Sequence, residues 1–319
     1  MHYSDRHSER ANRMLVQQQK VARPMRFSLR KRGILAGYLF IAPVILGYLI
    51  WVAGPMIVAI WLSLTEWDML RPATFVGLSN YQQMLHDDLF WKSLAVTFYF
   101  TLVSVPLSLV LSFAVALLVN VNVRGISLFR MLFYLPSIVP LVVNAVLWLW
   151  IFNSELGLLN AVLHWFGIPK VLWFQDSNWA MPALIIMSQW SIGGSMIIFL
   201  AGLQGIPQHL YEAAEIDGAN YWQRFWNVTI PMMSPVIFFN LVIGLIGALQ
   251  TFVPGYLMTQ GGPQNSTLFY GLYIFRSAFR DFKMGYAAAL SWVLFAIVLL
   301  LSLFVFRYLG RLVYYEESR

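Results

Sequence analysis

SLAVTFYFTLVSVPLSLVLSFAVALLVN, residues 93–120, runs for 28 residues without a lysine, arginine, aspartate or glutamate. A bilayer's hydrocarbon core of roughly 30 Å needs about 20 apolar residues per helix, so this stretch is long enough to cross it. It is continuously apolar rather than alternating, which argues for a helix and against a barrel strand. Five further stretches read the same way: Ile34–Leu64, Met131–Phe152, Trp179–Gln204, Val228–Met258 and Met284–Phe306. An all-α integral membrane protein with six transmembrane helices is expected, and its two longest spans must tilt, bend or protrude.

Composition agrees, since 59% hydrophobic and 11% charged residues lie far from an ordinary soluble chain. The absence of cysteine excludes disulfides and thiolate metal sites. The formal charge of +7 is concentrated, with nine of the 21 lysines and arginines in the first 33 residues. A basic segment ahead of the first span is an orientation signal that places it in the cytosol, and six spans return the C-terminus there with Arg307 and Arg311. Nucleic-acid binding and a cleavable signal peptide are both disfavoured. The chain divides into a cytosolic tail (1–33), a membrane domain (34–308) and a C-terminal tail (309–319).

The loops 65–92 and 153–178 would then face outside, with Arg71 and Lys170 as their basic residues before the membrane edge. In the outer segment 259–283, Leu268, Leu272, Phe275, Ala278 and Phe279 fall at helical spacings, predicting an amphipathic helix on the outer surface or over the pore mouth. Pro136 and Pro140 interrupt the third span, where a packing kink is expected ahead of a pore-lining break. Gly193, Gly194, Gly244 and Gly247 read as sites of close helix packing.

The cytosolic loop between the fourth and fifth spans, 205–231, is the most polar stretch outside the N-terminal tail. It reads as two short helices broken at Asp217-Gly218, with glycine free to take the left-handed conformation, the second helix ending where Pro231 bends the chain into the membrane. Leu210, Tyr211, Ala213 and Ala214 would offer an apolar face to a partner beside the carboxylates of Glu212, Glu215 and Asp217.

The loop resembles the EAA loop of binding-protein-dependent ABC importer permeases. Glu212, Ala213, Ala214, Asp217, Gly218, Ala219, Phe225 and Pro231 stand in the family's register, with Val228 in its isoleucine position. Other pieces, among them GYLFIAPVILGY, FRMLFYLPSIVP and LMTQGGPQNST, look like the carbohydrate-uptake branch and its subunit related to the maltose permease MalF. The resemblance implies a type I ABC importer permease fold in the bacterial inner membrane. It also implies a second, MalG-like permease, two ATPase subunits and an extracytoplasmic solute-binding protein, with a sugar passing through the pore. The eight matching loop residues would couple to the ATPases.

No Gly-x-x-x-x-Gly-Lys-Ser/Thr loop occurs in the chain, so ATP and magnesium are expected in the ATPase partners. The five histidines lack ligand-like spacing, no metal site is expected, and no constellation of catalytic residues is present. Buried ionisable groups and clear internal repeats, which would favour a secondary carrier, are missing from the pattern. By the same resemblance, substrate contacts fall at Ser191 and Gly194 in the fourth span and Gly244, Ala248 and Thr251 in the fifth. Sugar recognition needs hydrogen-bonding groups beside aromatic faces, which adds Gln189, Trp190, Gln250 and Phe252, and more weakly Asn144 and Asn240.

Overall fold

The computed structural model describes residues 25–314. Residues 25–59 belong to one compact unit and residues 60–314 to a second, larger one. α1 (Met25–Tyr48) passes through a π-helical turn at Leu49–Ala53 into α2 (Gly54–Ser63). The basic segment expected as a tail is therefore helical from Met25 onward. The rest of that tail, residues 1–24, and the end of the C-terminal tail, residues 315–319, lie outside the described residues.

A small hairpin follows, β1 (Thr65–Glu66) antiparallel to β2 (Thr74–Phe75) with Thr65 opposite Phe75, and then α3 (Ser79–Leu85). α4 (Asp88–Val119) is the longest helix. Asp87 caps its N-terminus by accepting from the Leu89 amide at 2.9 Å. At the other end the Arg130 guanidinium donates to the Val119 carbonyl at 2.9 and 3.2 Å, placing a cation where the helix dipole is negative.

Two expected spans are broken. α5 (Ile126–Ile138) and α6 (Leu141–Ile151) meet at 99°, far more than a packing kink. Val139, held extended ahead of Pro140, makes the turn. After the short α7 (Leu158–Trp165), α8 (Ser177–Gln189) and α9 (Gly193–Gln204) meet at 46° around Trp190–Ile192. Gly193 lies so close to α5 that a Cβ would fall 2.4 Å from the Phe133 carbonyl oxygen.

α10 (Gln208–Ile216) and α11 (Tyr221–Arg224) form the polar loop, and a π-helical turn at Phe225–Thr229 leads into α12 (Ile230–Leu249). The fifth span thus ends at Leu249, short of the expected Met258: Gln250–Phe252 leave the helical path, and Val253 and Pro254 start the next helical turn. A further π turn (Gly255–Thr259), α13 (Tyr270–Phe275), a π turn (Arg276–Arg280) and α14 (Met284–Tyr308) complete the fold with a 3-10 turn at Gly310–Leu312. Among the described residues, four helical stretches are long and apolar enough to cross a membrane, or six if each bent pair is one span.

The segment before α14 does not lie on the surface as its amphipathic spacing suggested. Leu268, Phe269 and Tyr270 are fully buried in the larger hydrophobic cluster. Thr97 Oγ1 of α4 accepts from the Tyr270 amide at 2.8 Å, and the Tyr270 hydroxyl donates to the Leu290 carbonyl of α14 at 3.0 Å. Phe269 meets Phe100 edge-on at 5.1 Å. α13 is a wedge between two long helices, and its Tyr270 and Tyr273 hydroxyls both find partners there.

Candidate functional site

The polar loop is a rigid turn. The Ala219 amide bonds the Ala214 carbonyl at 2.9 Å and the Gly218 amide the Glu215 carbonyl at 3.0 Å, the double bond pattern of a Schellman motif, with Gly218 at φ +78°. A capping box opens α11: the Gln223 amide donates to Asn220 Oδ1 at 3.0 Å and the Asn220 amide to Gln223 Oε1 at 2.7 Å. Glu215 and Arg224 form an ion pair across the turn. Tyr211 and Thr229 hydroxyls bond at 3.0 Å, tying α10 to the start of the next span.

Phe225 packs toward Phe113 of α4 with centroids 6.2 Å apart, which ties the turn to the long helix. Pro231 does not bend the chain as expected. The π turn before it lets the Ile230 amide bond the Phe225 carbonyl five residues back, and the helix runs on from Tyr221 to Leu249. Glu212, Ala213, Asp217 and Gly218 are exposed, and Ala214 and Ala219 half-buried. The apolar face differs from the expected one: Leu210, Tyr211 and Ala214 turn partly inward, while Ile216 (86% exposed), Tyr221, Trp222 and Trp226 stand in the open.

Far from this turn lies a cavity of about 390 Å³ among α4, α6, α8, α9 and α12. Its polar groups are hydroxyls and amides: Ser104 and Ser108 one turn apart on α4, Ser188 and Ser195 with Ser191 between α8 and α9, Asn144 and Asn240, then Gln250 and Thr251 after α12. Phe100, Leu184, Met187 and Phe252 supply apolar surface. None of the described residues lining it is charged. Asn144 donates weakly to Ser191 Oγ at 3.4 Å, and its own Oδ1 is buried without a partner. The leftover acceptor is open to a ligand hydroxyl.

Comparison with known proteins agrees with this geometry. The model of the family described as "Binding-protein-dependent transport system inner membrane component" matches residues 108–313, from the last part of α4 through α14, which includes the turn and the cavity walls on α6, α8, α9 and α12. The chain belongs to that family. It is 44% identical over 296 residues to the probable ABC transporter permease protein YesP of Bacillus subtilis, covering 91% of this chain and 95% of YesP. It is 35% identical to the trehalose/maltose transport system permease protein MalF of Thermococcus litoralis, covering 85% and 92%. A crystal structure of a bacterial ABC transporter involved in import of the acidic polysaccharide alginate shares the fold at a TM-score of 0.77 and 25% identity, covering 89% of this chain and 98% of that one.

The permease is thus a multi-pass transporter subunit with a type I importer fold, not an enzyme. Of its expected pathway residues, Ser191, Gly244, Ala248, Gln250, Thr251 and Phe252 line the cavity, as do the weaker candidates Asn144 and Asn240. Three do not. Gln189 turns its amide back onto the Ile185 carbonyl at 3.1 Å and Ser188 Oγ at 2.8 Å. Trp190 packs edge-on against Trp148 at 5.9 Å, and Gly194 is not among the lining residues.

The cavity is also lined by residues that sequence reasoning passed over, namely Ser104, Ser108, Ser188 and Ser195. Their helical spacing was the available signal: 104 and 108 share one face of α4. The third-span break, expected to be mere packing, puts Leu141 and Asn144 on the cavity wall. Gly193 is a packing glycine as expected and a Cβ on Gly244 would fall 3.1 Å from Val105 Cγ1, whereas Gly194 and Gly247 have open space.

Proposed function

We propose that this permease forms half of the translocation pathway of an ATP-driven importer for a sugar or oligosaccharide in the bacterial inner membrane. Its four long helices and two bent helix pairs make six spans with both termini in the cytosol. A MalG-like permease supplies the other half, a solute-binding protein delivers the solute, and two ATPase subunits bind ATP and magnesium. The observation that carries the reading is the exposed Schellman turn, whose unpaired Glu212 and open Ile216–Trp222 surface face outward while Phe225 keys the turn to α4. Coupling is assigned to Glu212, Ala213, Ala214, Asp217, Gly218, Ala219, Phe225 and Pro231.

A neutral polyhydroxylated solute suits a cavity lined by serines, amides and Phe252 without charge, better than a phosphorylated one such as glycerol phosphate. The related MalF carries trehalose and maltose in its name, in keeping with that class. The reading is tested in liposomes holding the whole complex. Uptake should require internal ATP and stop with orthovanadate, and Glu212→Ala should uncouple ATP hydrolysis from uptake in a complex that still assembles. Vanadate-resistant uptake that collapses with an ionophore would make the permease a secondary carrier instead.

A further inference from the structure

Phe252, which follows α12 and lines the cavity, does not stand alone. Its ring lies face to face with Tyr256, the centroids 5.2 Å apart and the planes 16° from parallel. Phe275 of α13 leans on both, 5.2 Å from Phe252 and 5.1 Å from Tyr256, and Phe279 stands 5.2 Å beyond Phe275. The rings thus form one continuous file that starts on the cavity wall.

The backbone builds this file. Gly271 lets α13 sit against the stretch after α12, since a Cβ there would fall 3.2 Å from the Thr251 carbonyl oxygen and 3.5 Å from Phe252 Cβ. Phe275 and Phe279 follow at four-residue steps and continue the side that Gly271 begins, whereas Leu272 and Tyr273 are buried in the core cluster. The file also leads away from the polar turn. Tyr270 bonds Thr97 of α4, and Tyr273, one turn on, bonds Asp87 at that helix's N-cap. Between those two residues α4 rises about 15 Å, in the direction opposite to Phe113 and the turn it meets, so α13 climbs toward the outer side with Phe279 past its end.

Packing alone does not account for rings placed this way. Phe269, in the same segment, is fully buried, but Tyr256 is 41% and Phe279 56% exposed. A sugar ring presents C–H groups of partial positive charge on its faces, and these meet the negative face of an aromatic ring. Such stacking reads the face of the sugar rather than its hydroxyl edge, so it tolerates different hydroxyl patterns. A file of aromatic faces therefore holds a sugar weakly at each step and lets it move on, whereas the amides and serines of the cavity fix it.

We propose that Tyr256, Phe275 and Phe279 are the outer track over which a sugar slides, ring by ring, onto Phe252 and into the cavity. The proposal rests on the importer reading above. The test is ATP-driven uptake into liposomes holding the whole complex, with the binding protein outside and labelled maltose, trehalose, lactose and maltotriose offered in turn. Tyr256→Leu and Phe279→Leu keep apolar bulk and lose the aromatic face, and in each the sugar moved per ATP hydrolysed should fall about fivefold. Tyr256→Phe and Phe279→Trp keep the face and should stay within about twofold of the parent. Equal ratios in the parent and the leucine variants overturn the track. So does a loss that accompanies poorer recovery of the second permease, which makes these rings a subunit contact. A parent complex that moves none of the four sugars overturns the neutral-sugar reading and the track with it.

Discussion

Tyr286 donates its hydroxyl to the Asp87 carboxylate at 2.6 Å, joining the first turn of α14 to the N-cap of α4. Tyr273 of α13 donates to the same carboxylate, and the Leu89 amide supplies a further bond. Three elements far apart in sequence converge on one acidic group. Burial pushes its carboxyl up, but the two tyrosine hydroxyls and the Leu89 and Phe90 amides outweigh burial and hold it below the usual carboxylate range. Asp87→Ala should therefore cost about 1–3 kcal/mol, read as a lower Tm in detergent. A depressed pKa contributes stability that is present above the unfolded value near pH 4 and lost as pH falls through the lower folded one. The gap in Tm between parent and variant should close over that acid range and stay constant from pH 6 to 8.

Adjacent glycines should behave oppositely. A Cβ on Gly193 would meet the Phe133 carbonyl oxygen at 2.4 Å and the Tyr134 Cα at 2.7 Å, both backbone atoms that cannot swing away. A Cβ on Gly194 meets nothing within 4 Å. Gly193→Ala should force α5 and α9 apart at a cost of about 1–3 kcal/mol and reduce the folded yield. Gly194→Ala should leave yield and Tm within about 0.5 kcal/mol of the parent. Size-exclusion profiles with thermal melts of the two variants check the contrast, and an equal effect at both positions would contradict the helix contact.

The polar turn depends on Gly218 at φ +78°, where a β-branched side chain is forced into conformations it resists. Gly218→Val should cost about 1–2 kcal/mol locally and open the Schellman bonds from Ala219 and Gly218. Since Gly218 is exposed and no neighbour touches its Cβ position, the rest of the fold should hold. Expected are a normal melt and reduced recovery of ATPase subunits on affinity capture of the permease.

How much of this was legible in the sequence differs by kind of interaction. Long apolar runs such as 93–120 declared their helices, because a bilayer rejects unbonded backbone whatever the neighbours are. The loop break at Asp217-Gly218 was equally plain, since the left-handed turn is local and only glycine suits it. Breaks inside spans were only partly visible: Pro136 and Pro140 marked the third span, but hydropathy sees Val228–Met258 as one run, although the helix stops at Leu249 and a new turn starts at Val253. α13 was misread for a different reason. Its spacing was amphipathic, but its tyrosines hide their hydroxyls on Leu290 and Asp87, partners that only the folded chain brings near. The cavity serines gave no alarm, because a serine such as Ser188 bonds its own turn at Ile185 and looks at home in any span.

Two buried amides separate stability from transport. Asn144 Oδ1 and Gln189 Oε1 are both buried without partners, so each costs about 1–3 kcal/mol in desolvation. Asn144 faces the cavity and Gln189 does not. Replacing either by leucine removes an unpaired acceptor while keeping similar volume, and both Asn144→Leu and Gln189→Leu should melt at or above the parent temperature. Only Asn144→Leu takes away a group that a solute hydroxyl can satisfy, and a site built to bond a hydroxyl loses much of its preference when that bond is gone. ATP-driven uptake into liposomes should fall about tenfold or more in Asn144→Leu and stay within about twofold in Gln189→Leu. Equal losses in the two variants would move the pathway off the cavity and onto the α8–α9 bend as a whole.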